Sequence, residues 1–127
     1  MNANLYLIGI KYSLEELAAK VSLVEDYNGE RHVGYFGFWQ NIAFIEYNRD
    51  TKQYLVKEVI DDEVHYTSCL TENCLFQYMD DNNIQFIGDE NPLGEIFESY
   101  SAMYLTLIRW VGDICYTRDL YEKLLEE

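Results

Sequence analysis

Proline is the scarcest residue of this chain, with one in 127 residues, and histidine occurs only twice. A single proline excludes long Pro-rich linkers, and there is no internal repeat or low-complexity tract. The opening stretch MNANLYLIGIKYS has no early basic residue, and its apolar run is too short for a signal peptide or a membrane span. The three cysteines, Cys69, Cys74 and Cys115, are odd in number and sparsely placed. This excludes a dense disulfide framework and points to a reducing cytoplasm, with thiols packed as small apolar groups. The most telling absence is of positive charge: no Lys or Arg lies between Lys57 and Arg109.

That gap holds 11 of the 23 acidic residues, and the formal net charge of the chain is −14. A polyanion repels nucleic acid and anionic membranes, so neither is an expected partner. Acidity alone can serve solubility; concentrated in one segment, it also suits a basic partner. The chain is not disordered in character. It has 12 Tyr, 6 Phe and 2 Trp, an apolar content that favours a packed core over an extended coil. Its length predicts one domain over 1–127.

LYLIGIK at 5–11 reads as a buried strand. SLEE at 13–16 fits a capping box, with Ser13 as cap and Glu16 reaching back. Leu14, Leu17, Ala18, Val21 and Val24 recur at helical spacing, which predicts an amphipathic helix over 14–26. HVGYFGFWQ (32–40), IAFIEY (42–47), QYLVKEV (53–59) and VHYTSCL (64–70) predict a four-strand antiparallel meander, with turns at NRDTK and DDE. In the third of these strands Tyr54, Val56 and Glu58 share one face. TENCLFQYM, starting at Thr71, fits either a capped short helix or a strand. IQFIG (84–88) reads as a short strand. Asn91 and Pro92 predict a helix start, followed by an apolar stripe of Leu93, Ile96, Phe97, Tyr100, Tyr104, Leu107, Ile108 and Val111. Gly112 and Asp113 mark a break, and Thr117 a cap for a last helix. The expected fold is α+β: an antiparallel sheet of about five or six strands, with an N-terminal helix and one or two C-terminal helices packed on one face.

Tyr78-Met79-Asp80-Asp81 is similar to the metal-binding turn of reverse transcriptases, where two aspartates between strands help hold magnesium. The likeness ends at four residues, and a polymerase palm needs another distant carboxylate and far more chain. A calcium loop also fails: Ile84 stands at the third ligand position, with no glycine at the sixth and no glutamate at the twelfth. Asp-Asp-Asn-Asn reads as a turn. There is no phosphate-loop, dinucleotide or nucleophile-elbow motif, and the cysteines lack zinc spacing, so no cofactor and no metal are expected. His65, beside the acidic turn at 61–63, is the one candidate acid or base.

What remains is the interleaving of acids with tyrosine, whose large apolar face and polar tip suit interfaces. Small size, acidity, abundant Tyr and no active-site motif make the profile similar to that of bacterial immunity proteins, which neutralise nuclease toxins. The resemblance implies a cytoplasmic inhibitor, not an enzyme, that occupies the phosphate-binding face of a basic protein. The expected contact residues are Asp61, Asp62, Glu63, Asp80, Asp81, Asp89 and Glu90, with Tyr66 and Tyr78 as anchors. The alternatives are a phage-encoded DNA mimic that disarms a nuclease or CRISPR effector, and a small enzyme using His65 with nearby carboxylates.

Overall fold

The computed structural model describes residues 4–11, 16, 23–25, 31–33, 39–88 and 93–126. Its centre is an antiparallel sheet built from β1 (Asn4–Ile10), β4 (Ile42–Asn48), β5 (Gln53–Ile60) and β6 (Glu63–Cys69). Two-residue strands β7 (Gln85–Phe86) and β8 (Ile96–Phe97) complete it. The order is β6-β5-β4-β1-β7, and β8 also pairs with β1. A separate two-stranded ladder joins β2 (Leu23–Glu25) to β3 (Arg31–Val33). Among the described residues, the helices α1 (Glu72–Asp81) and α2 (Tyr100–Glu126) follow the long strands.

The expected meander holds for three of its four strands. β4, β5 and β6 pair in sequence, with Ala43 opposite Glu58 and Glu58 opposite His65. The fourth neighbour is β1, whose Ile10 pairs with Ile42 and whose Asn4 pairs with Asn48. Arg31–Val33 belongs instead to the small ladder, Trp39–Asn41 forms a 3-10 turn, and residues 34–38 lie outside those described. An early apolar strand outcompetes a glycine-broken one because it fills both faces of the sheet centre. β1 and β4 are the strands buried on both faces, whereas β5 alternates buried and half-exposed positions.

The helix expected over 14–26 is not supported. Leu23–Glu25 is a strand, and residues 12–15, 17–22 and 26 lie outside those described. Helical spacing does not exclude a strand when β-branched Val24 has a ladder partner, here His32.

Alternation along β1 and β4 builds two cores. Ile8, Ile10, Ile42 and Phe44 meet Met103, Leu107 and Val111 of α2 on one face. Leu7, Ala43 and Ile45 meet Tyr54, Val56, Leu75, Met79 and Ile84 on the other. The helices therefore cover opposite faces, which corrects the expected two-layer arrangement to three layers. Gly9 permits the close fit under α1: a Cβ there would stand 2.5 Å from Ile84 Cγ2.

The C-terminal helix differs from its expected bounds. Ile96–Phe97 pairs with Leu7 and Tyr6 as β8, and α2 starts only at Tyr100, capped by Ser99 Oγ, which accepts from Ala102 N at 3.1 Å. Residues 89–92, with the expected start at Asn91, lie outside those described. Gly112 and Asp113 do not break the helix, which is continuous to Glu126. A single glycine costs about 1 kcal/mol in a helix, less than the packing of Met103, Leu107 and Val111 supplies. No helix among the described residues is long and apolar enough to cross a membrane.

Candidate partner-binding surface

The β5–β6 hairpin turns through Asp61 and Asp62, with Ile60 paired to Glu63. Both aspartates have left-handed backbone, φ 53° and 65°. This is the geometry of a type I′ two-residue turn, whose hand matches the twist of the flanking strands. Asp tolerates it better than most residues, though glycine does so at less cost. The sheet thus fixes three carboxylates, Asp61, Asp62 and Glu63, at an exposed tip. His65 follows on β6, with its Nε2 3.9 Å from Glu63 Oε2.

The strand behind this tip is open. Val64 is 50% exposed and Tyr66 62% exposed on the α2 face; exposed Ile60 lies on the opposite face of the sheet. Tyr66 pairs across with Lys57, whose Nζ lies 5.3 Å from the Tyr100 ring centroid. A small pit of about 40 Å³ between Tyr66, Tyr100, Phe44 and Leu55 joins β6 to the start of α2. An apolar and aromatic patch rimmed by charge is the usual anatomy of a protein interface.

The second expected acidic group stands elsewhere. The ambiguous segment 71–83 is a helix, with Thr71 Oγ1 accepting from Cys74 N at 3.1 Å. Asp80 and Asp81 form its last turn and are exposed. Asn83, at φ 57°, ends it in a Schellman motif: Ile84 N donates to Met79 O and Asn83 N to Asp80 O, at 2.8 and 3.3 Å. The pair therefore sits on a helix terminus, not in a hairpin between strands. Asp80 lines an open cleft of about 450 Å³ with Phe76, Met79, Ile84 and Phe86, beside β7 at the sheet edge opposite β6. Four strand spacings separate those edges, about 19 Å. The structure thus unites Asp61, Asp62, Glu63 and Tyr66 on one hairpin, and places Asp80 and Asp81 on a different element, the last turn of α1. Asp89 and Glu90 lie outside the described residues. Among the described residues, no three His, Cys, Asp or Glu side chains converge as a metal site requires.

Tyr78 is not an exposed anchor. Its hydroxyl donates to the Glu58 carboxylate and accepts from Thr67 Oγ1 at 3.5 Å. Burial first, then the bond to Glu58, holds the phenol above its usual value. Glu58 is 2% exposed and also meets Lys11 Nζ at 3.1 Å. This half-buried cluster around buried Glu58 has no counterpart in the expectations from sequence. Its signal was the alternation that put Glu58 on one face with Tyr54 and Val56, both buried. Nearby, Cys69 is buried and Cys74 exposed; burial, then Cys74, pushes the Cys69 thiol up to about 11. Compared with protein-family models, with curated proteins and with solved structures, the chain matches none.

Proposed function

We propose that this protein is a small acidic inhibitor that binds a basic protein and covers the face with which that protein holds phosphates. An immunity protein that neutralises a bacterial nuclease toxin fits this description. The observation that carries the reading is the hairpin tip. Two adjacent aspartates occupy left-handed positions where Asn-Gly would fold at less cost, and they are continuous with exposed Val64 and Tyr66. Folding does not call for carboxylates there; a cationic partner does. The acids meet Lys and Arg groups of the partner while Tyr66 and Val64 exclude water beside them. Opposite charge steers the encounter, which can raise association from about 10⁵–10⁶ to about 10⁸ M⁻¹s⁻¹ at low salt.

A DNA mimic needs carboxylates spaced along a continuous ridge. Asp61–Glu63 lie at a hairpin tip and Asp80–Asp81 at a helix end, on two elements and not one continuous ridge, which favours a local patch instead. On this reading His65 is a neighbour of the tip and not an acid–base catalyst, and the protein is not an enzyme. The test is a pull-down from the source cell, eluted with a salt gradient, with the wild-type chain and with Asp61→Lys, Asp62→Lys, Glu63→Lys combined. The wild type should retain a basic nuclease that salt releases, and the triple variant should lose it. Equal retention by both would remove the tip from the interface.

A further inference from the structure

We infer that β6 is a docking strand, and that the partner completes the sheet by adding a cationic strand to it. β6 is seven residues long, EVHYTSC, about 24 Å at the usual rise. Among the described residues it pairs with β5 alone. Every second residue of an edge strand turns its N–H and C=O away from the sheet, ready to pair with another chain. Native edges are normally blunted by proline, lysine, a bulge or a covering element. β6 has no Pro, Lys or Gly, and its register with β5 runs from Ile60–Glu63 to Tyr54–Cys69 without interruption. The other long edge is treated differently: β1 is covered by β7 and β8.

The exposed side chains suit strand addition. Val64, Tyr66 and Ser68 alternate on the α2 face, and His65 and Thr67 on the α1 face, so main-chain pairing supplies affinity and the side chains supply selectivity. Charge selects the occupant. A second copy would bring another net charge of −14 against this edge, whereas a strand carrying Lys or Arg is drawn to the three acids at its end. The inference rests on the inhibitor reading only for the sign of that charge.

The test uses three blocked eight-residue peptides of alternating Thr and Val and the full-length chain. One ends in two lysines, one is the same peptide N-methylated at alternate amides, and one ends in two glutamates. Amide hydrogen exchange of residues 63–69 and affinity are read by NMR. The lysine peptide should slow exchange of the outward β6 amides at least tenfold at saturation. The N-methylated and glutamate peptides should bind at least tenfold more weakly. If the N-methylated peptide binds as tightly as its parent, attraction to acids is enough, and strand addition is overturned while the acidic interface stands. If Asp61→Lys, Asp62→Lys, Glu63→Lys leaves β6 protection by the lysine peptide unchanged, strand addition stands and the acidic reading fails. Absence of binding by all three peptides overturns the inference.

Discussion

Glu58 is the residue on which the α1 face of the sheet is most exacting. A carboxylate at 2% exposure persists only when its lone pairs are met, and Lys11 and Tyr78 meet them. Removing one partner leaves a desolvated charge short of a donor. Tyr78→Phe should therefore lower stability by about 2 kcal/mol, the worth of a hydrogen bond to a charged group, seen as a lower urea midpoint with unchanged slope. The pH dependence has a definite sign. A phenol whose folded value is raised gives stability that is complete below its unfolded value and is lost as pH rises through the folded one. Tyr78, Tyr54 and Cys69 all behave so. The alkaline fall in stability should be shallower in Tyr78→Phe than in the wild type, but not absent.

At the scale of elements, the hairpins and helix ends rest on local chemistry. Asn48 Oδ1 accepts from Asp50 N and Thr51 N, and Lys52, at φ 62°, closes the β4–β5 turn through its bond to Asn48 O. The β5–β6 turn is the costly one, with like charges in adjacent left-handed positions. Asp61→Asn with Asp62→Gly restores the preferred pair and should raise stability by about 1 kcal/mol, given the 1–2 kcal/mol penalty of that conformation for residues with a Cβ. Chemical denaturation measures the gain. If the tip serves binding, the same variant gives up partner affinity while folding better, a trade expected where function holds strained residues. No gain in stability would mean that these carboxylates already repay their geometry within the fold.

For the whole molecule, the decisive quantity is a net charge of −14 on 127 residues. Self-repulsion opposes the compact state, and at 0.1 M salt the screening length is about 10 Å. Raising NaCl from about 10 mM to about 300 mM should therefore raise the melting temperature by a few degrees, in proportion to the repulsion removed. A flat response in calorimetry would mean that ion pairs such as Lys11–Glu58 already balance the field. The three layers set where that charge is displayed. α2 covers β1 and β4 on one face and α1 crosses the other, while the hairpin tip at Asp61–Glu63 stays exposed.

The turns NRDTK and DDE and the three strands they join were legible in order along the chain, because each is decided by residues within a few positions of one another. So was the concentration of acid, which needs no structure to count. Pairing of β1 with β4 and the pairing of Ile96–Phe97 as β8 were not, because ladder partners far apart in sequence decide them. The same holds for Tyr78, whose helical segment was ambiguous until Glu58, twenty residues away, claimed its hydroxyl. Sequence alone determined that this chain is strongly acidic and rich in tyrosine. Only the tertiary structure decided that Asp61, Asp62 and Glu63 stand beside an open strand edge while Asp80 and Asp81 do not, since proximity across a sheet follows from the order of strands and not from the order of residues.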